Sequence, residues 1–367
     1  MHVPSEALVS LTLLATGDVR PINMSSVPKI VRSLASEDEK SSQDASCSFQ
    51  THLVVHFDIN ETVLVGDEAG GDTREDSLNK ILAKSAFVQI PSTPGSRQQL
   101  MGKAMDDTSN IQPTHWWDGT KIDESSNHVP PLYTGWHWPP GCCPYYRTAF
   151  KKRAKRFVEG DGKPYRPLYH TMQQLISFPH ESEMPPVLSH LLAALFETIQ
   201  NLTRRSQPVR FVFRTFGTDL PEIAEAVTAF CHGKHPDYPH FCHPQVSLER
   251  LFKGRWTADG VYELLDYVDE SLVVARGDAE IVALLDSLIM CGIQDDYEHW
   301  AAHGWEPWAG KPVWVPSSTR VHHVLLDDNI HNIQEDSIAS VRKQHVDGTY
   351  RTLSGREILE MQGVHLI

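Results

Sequence analysis

The sequence predicts an α/β fold built on an open parallel sheet flanked by helices. Three apolar runs that each stop at polar residues predict it. The first reads His-Leu-Val-Val-His-Phe-Asp-Ile-Asn-Glu-Thr from His52 to Thr62, the second Val-Arg-Phe-Val-Phe-Arg-Thr from Val209 to Thr215, and the third Val-His-His-Val-Leu-Leu-Asp-Asp from Val321 to Asp328. Short runs rich in β-branched and aromatic residues suit strands buried on both faces of a parallel sheet. The carboxyl ends of such strands are where open α/β sheets bind ligands, so Asp58, Thr215 and Asp327/Asp328 are candidates for chemistry.

Taken in order, residues 1–50 mix prolines with a polar stretch at 36–45 and show no sustained periodicity, which predicts a disordered leader. After the first strand, the loop 66–73 is rich in turn residues, and Leu78, Ile81, Leu82 and Phe87 space a short helix starting near Asp76. Residues 68–185 form an inserted, irregular module in which prolines alternate with Trp116, Trp117, Trp136 and Trp138. Within it, residues 145–157 pattern as a basic amphipathic helix, read either as a solvated face or as a surface that recruits an anionic substrate. Residues 187–202 predict one helix, apolar on a broad side. Pro221 opens another after the second strand. Residues 280–290 and 295–303 pattern as helices before the third strand. The core is thus assigned to residues 51–67 and 186–367.

Length and charge narrow the function. A chain of 367 residues has room for a large core and a smaller inserted unit. Its 33 Lys+Arg against 47 Asp+Glu give a formal charge of −14, which argues against a nucleic-acid or anionic-membrane binder and for a small ligand. No apolar run approaches the roughly 18 to 20 residues a membrane span needs. Six irregularly spaced cysteines make no disulfide framework and fit a reducing cytoplasm. Cys231, His232, His235, His240, Cys242 and His243 invite a zinc reading, but their spacing matches no finger or ribbon pattern, and a His-rich loop is the simpler reading.

If the three strands are neighbours, their ends assemble a phosphoryl-transfer site. Asp58 would attack phosphorus, a Mg²⁺ ion would be held by hard oxygens from Asp58, a nearby carbonyl and Asp327/Asp328, and the Thr215 hydroxyl and Lys311 ammonium would hold the equatorial oxygens. In these residues the chain resembles the haloacid dehalogenase superfamily. Its first motif is similar to Phe57-Asp58-Ile59-Asn60-Glu61-Thr62, its second to Phe213-Arg214-Thr215, its third to Lys311 in Gly310-Lys311-Pro312, and its fourth to Leu326-Asp327-Asp328. The resemblance implies a Rossmann-like core with a cap-like insert, Asp58, Asn60, Thr215 and Lys311 as catalytic residues, and a Mg²⁺ held by Asp58, the Asn60 carbonyl, Asp327 and Asp328. It also implies a small phosphorylated substrate.

One position departs from that pattern. Asn60 stands where phosphatases of the family carry a second aspartate, which by resemblance protonates the leaving oxygen and later activates water. An amide does neither, and losing a general acid/base costs about 10²- to 10⁴-fold. The departure predicts a slow phosphatase or a substrate whose leaving group needs no proton, such as an acyl phosphate. Glu61, placed along a strand, would point away from the site. The rival reading is a non-catalytic protein of the same fold that binds a ligand or a protein partner through its Trp-rich insert.

Overall fold

The computed structural model describes residues 52–66, 71–91, 111–123, 128–133, 138–148, 150–180, 183–184, 186–205, 208–248, 250–318, 320–330, 338–361 and 364–366. The expected leader at 1–50, Trp136 and part of the loop 66–73 lie outside them. The first apolar run is β1 (His52–Asp58), buried from Leu53 onward. Helix α1 (Arg74–Ser85) begins two residues earlier than expected, because Thr73 and Asp76 exchange side-chain and backbone hydrogen bonds in a capping box. Strands β2 (Phe87–Gln89) and β3 (Cys142–Pro144) then pair antiparallel inside the insert.

Residues 145–157 do not form the expected α-helix. Two tight 3₁₀ segments, Tyr145–Arg147 and Lys151–Glu159, take its place, with non-helical backbone at Arg156. The Val158 amide donates to the Asn79 side chain of α1 (3.0 Å) instead of a carbonyl one turn back. Ala154, Phe157 and Val158 are buried in a second apolar cluster that also takes in Val65 and Leu192, where the Trp116 ring meets Phe157 and Tyr165 edge-on. Most of these tryptophans and tyrosines therefore serve packing, and α1 contributes Leu78, Ile81 and Leu82 to the same cluster. Helix α2 (Arg166–Leu175) completes it through Tyr169 and Met172.

The helix expected over residues 187–202 is broken into α3 (Pro186–His190) and α4 (Ala193–Thr203). At the break, the chain pairs with the turn that follows β1: Val65 donates to the His190 carbonyl (3.0 Å) and Leu192 to the Val63 carbonyl (2.8 Å). The elements that follow are β4 (Val209–Thr215), α5 (Leu220–Cys231), β5 (Arg250–Trp256), β6 (Tyr262–Asp266), β7 (Val273–Arg276) and α6 (Gly277–Ser287). After these, Met290 opens strand β8 (Met290–Gln294), where the sequence pattern extends a helix, and α7 (Tyr297–Ala302) follows. The chain closes with β9 (Lys311–Val315), β10 (Val321–Leu326), β11 (Ala339–Gln344), β12 (Tyr350–Thr352) and α8 (Gly355–Leu359).

The central sheet has seven strands in the order β10-β1-β4-β8-β5-β6-β7. From β10 to β5 every pairing is parallel, and β6 and β7 add an antiparallel edge. Leu53, Val55 and Phe57 of β1 face α4 and α5, and Val54 with Val212 face α6 and Trp314 of β9. Covering both faces leaves the carboxyl edge as the place where polar side chains gather, and it explains why these strands are apolar runs. The protein is thus a mixed α/β fold with a mostly parallel sheet between helices. No helix among the described residues is long and apolar enough to cross a membrane.

Strand β9 does not join this sheet. It pairs parallel with β11 in a separate three-stranded sheet. Gly310 sets its entry: a Cβ there would lie 1.9 Å from the Ile338 carbonyl oxygen, which also accepts from the Lys311 amide (2.9 Å). Gly310→Ala is therefore expected to lower stability by about 1–3 kcal/mol, since a backbone atom must yield. Chemical denaturation measures this, and an unchanged midpoint would contradict the close approach.

Candidate active site

Because β1 lies between β4 and β10, the ends of the three apolar runs are neighbours. Phe57 pairs with Leu326 and Asp58 with Arg214, so Asp58 and Asp327 leave adjacent strands side by side and Thr215 follows one step beyond. Lys311, the first residue of β9, reaches them from above the sheet. Its side chain is 2 % accessible, and its ammonium bonds to Asp58 and to Asp327 Oδ2 (2.8 Å). The Thr62 hydroxyl donates to Asp58 Oδ2 (3.0 Å) and accepts from the Asp328 amide (3.1 Å), which ties the first and third polar ends together.

Asn60 and Thr215 sit on the flank of this cluster. Asn60 Nδ2 donates to Thr215 Oγ1 (3.4 Å), while that hydroxyl accepts from the Gly217 amide (2.8 Å) and donates to Asp219 (3.1 Å). The Thr215 hydroxyl is thus partly committed to the turn into α5. Asn60 Oδ1 is buried with no hydrogen-bond partner among the described residues. The backbone turns sharply here, with the Ile59 carbonyl accepting from Val63 and Leu64, and among the described residues no donor reaches the Asn60 carbonyl.

Glu61 is not in the strand. It occupies a left-handed turn (φ 61°), so strand alternation does not set its direction. Its carboxylate meets Lys80 and Lys84, which lie one turn apart on α1. Lys84 also bonds to Asp328 Oδ2, and Lys80 to Asp72 Oδ2 (2.6 Å), which in turn meets Lys155 of the insert. An alternating chain of charges therefore runs from the insert into the carboxylate cluster. These lysines were not legible as site residues, since Lys on a short helix ordinarily faces solvent.

The electrostatics follow from burial. Burial, and next the charge of Asp327, push the Asp58 carboxyl well above its ordinary range, with Lys311 opposing them. For Lys311, burial works against the charge, but Asp327 and Asp58 outweigh it and hold the ammonium protonated. Burial likewise raises the Asp328 carboxyl against the pull of Lys84. For Glu61, burial is outweighed by Lys84 and Lys80, and the carboxyl lies below its ordinary range.

Beneath the cluster, on the same face of the sheet, is a second polar layer. Arg214 is fully buried and makes a two-pronged contact with Asp295, Nε to Oδ2 at 2.9 Å and Nη2 to Oδ1, while the Tyr262 hydroxyl donates to Asp295 Oδ1 (2.8 Å). Arg214 Nη1 donates to the carbonyl of Pro312 (3.0 Å), next to Lys311. Asp295 follows β8, and its amide donates to the Thr215 carbonyl (2.7 Å). Arg214 could have been singled out as a cation inside an apolar strand. Asp295 could not, because the pattern over 295–303 makes it the first residue of a helix.

No family model, curated protein or solved structure matches the chain. The site has to be read from its own chemistry. Among the described residues, the single group of three metal-ligating side chains is Asp58, Asp327 and Asp328, with one ligand oxygen from each lying within 4.8 Å of the others. Carboxylates with a free backbone carbonyl at Asn60 are a hard-oxygen donor set, suited to Mg²⁺ or Ca²⁺ and poorly suited to softer metals. The residues thus fit the expected divalent cation. The Cys/His loop makes no such group: His235 is enclosed by Phe178, Phe196, Phe230 and Tyr238, and burial lowers its imidazole to about 4.

Proposed function

We propose that the protein is a Mg²⁺-dependent phosphohydrolase of the haloacid dehalogenase type, acting on a small phosphorylated molecule with a good leaving group. The observation that carries this reading is the convergence of Asp58, Lys311, Asp327 and Asp328 at the carboxyl ends of adjacent parallel strands. Asp58 is the nucleophile. Its carboxylate oxygen forms a bond to phosphorus as the bond to the leaving oxygen breaks, and the leaving group takes the electron pair. Lys311 orients Asp58 and supplies positive charge where the equatorial oxygens gather. Water then attacks the aspartyl-phosphate, releases phosphate, regenerates the Asp58 carboxylate and gives its proton to solvent. A Mg²⁺ held by Asp58, Asp328 and the Asn60 carbonyl, with Asp327 beside them, would neutralise the charge that builds on the phosphoryl group.

Proton supply limits the substrate. Asn60 has no proton to give, and the Glu61 carboxylate is taken up by two ammonium groups. An acyl phosphate needs neither, because its leaving carboxylate departs as an anion. Acetyl phosphate is therefore expected to be hydrolysed in the presence of Mg²⁺, p-nitrophenyl phosphate more slowly, and alkyl phosphates hardly at all. Asn60→Asp should restore a proton donor and raise turnover of the alkyl esters by about 10²- to 10⁴-fold, with a smaller gain on acetyl phosphate, where only the later attack of water benefits. Phosphate release measured across the three substrates tests this. If no substrate turns over in either protein, the enzymatic reading fails and the fold serves binding alone.

A further inference from the structure

We propose that Lys84 is a positioning residue that competes with the divalent cation for Asp328, so that cation binding requires its ammonium to move off Asp328 and stay on Glu61. The inference rests on the metal-binding reading of the carboxylate cluster and goes beyond it, because it assigns a role to a lysine outside every strand end. Both oxygens of Asp328 are engaged: Oδ2 by the Lys84 ammonium and Oδ1 by Asn329 Nδ2 at 3.0 Å. A cation that takes Asp328 as a ligand approaches an oxygen already engaged by one of these donors, and a divalent ion beside an ammonium on the same carboxylate is repelled by it. Three ligand oxygens spread over as much as 4.8 Å must also draw together around an ion whose oxygen distances are about 2.0–2.1 Å for Mg²⁺.

Lys84 has a second partner already in place. Its ammonium donates to Glu61 Oε2 at 2.5 Å, so it can leave Asp328 without losing a counter-ion. Glu61 is held in turn by Lys80, and Lys80 by Asp72. The side chain is 20 % accessible, with its ammonium 5.5 Å from the ring centre of Tyr146 in the insert, so it sits at the seam between insert and core. Lys80 provides an internal control. It shares Glu61 and carries the same charge one turn away, yet it has no contact with Asp328.

The test is isothermal titration of the full chain with Mg²⁺, without substrate. Lys84→Met is expected to bind Mg²⁺ more tightly than wild type by roughly 5- to 150-fold, the usual range for two coupled ligands. Lys80→Met should change affinity by less than a factor of about three, since its ammonium is matched by Glu61 and Asp72 and does not touch Asp328. If Lys84→Met binds Mg²⁺ as wild type does or more weakly, or if Lys80→Met gains as much, competition at Asp328 is overturned while the metal site stands. If wild type and both variants bind no Mg²⁺ at millimolar concentration, the metal reading falls and the inference with it. Lys84→Gln, which keeps a donor but no charge, gives the same comparison should the Met variant fail to fold.

Discussion

Asp58→Asn is expected to abolish Mg²⁺-dependent hydrolysis of acetyl phosphate, lowering kcat on the order of 10⁴-fold or more, as loss of a covalent nucleophile does elsewhere. The substitution is nearly isosteric, so the effect isolates chemistry from shape. The amide can keep the Thr62 hydrogen bond now made at 3.0 Å, and Lys311 keeps Asp327 as its counter-ion at 2.8 Å. The fold should therefore survive, with a stability loss of about 1–3 kcal/mol for a weakened buried contact. Acid-quenched wild-type protein should yield a phosphorylated peptide containing Asp58, and the variant none. Retention of turnover by a folded Asp58→Asn protein would remove Asp58 as the nucleophile and leave Lys311 and the remaining acids as a binding site.

The parts of this site that the sequence exposes are those on buried parallel strands. Residues 52–58, 209–215 and 321–326 are covered on both faces, so each strand shows as a mostly apolar run whose polar stop marks the sheet edge. Asp58, Thr215 and Asp327 are legible for that reason. Lys311 is legible as a residue but not as a buried one. Pro312 and Trp314 disguise β9 as loop, and only the pairing with β11 in a second sheet turns Lys311 inward. Strand β8 is hidden because Met290 continues the apolar spacing of α6, and β5, β6 and β7 are hidden because half-buried hairpins alternate weakly. Lys80, Lys84 and Glu61 depend wholly on tertiary placement. A left-handed turn at Glu61 and a capping box at Thr73 bring them together, and neither leaves a period in the sequence.

Arg214→Met is expected to destabilise the protein by about 3–5 kcal/mol, the penalty for removing one partner of a buried ion pair. That is a large share of the roughly 5–15 kcal/mol that holds a domain folded. Arg214 has no solvent exposure, and its loss would leave the Asp295 carboxylate buried with the Tyr262 hydroxyl as its remaining side-chain partner. Arg214→Lys should rescue little of this, because one ammonium cannot reproduce the two-pronged contact with Asp295 and also reach the Pro312 carbonyl at 3.0 Å. In an Arg214→Met/Asp295→Asn double variant the buried charge is gone while an acceptor for Tyr262 remains, so roughly 1–3 kcal/mol should return as coupling energy. Urea denaturation of wild type, Arg214→Met, Asp295→Asn and the double variant closes the cycle. Activity should not recover with stability in the double variant, because the anchor on Pro312 that sets the start of β9, and with it Lys311 over Asp58, is still missing. Recovery of both together would mean that Arg214 serves the core alone and that Lys311 is positioned without it.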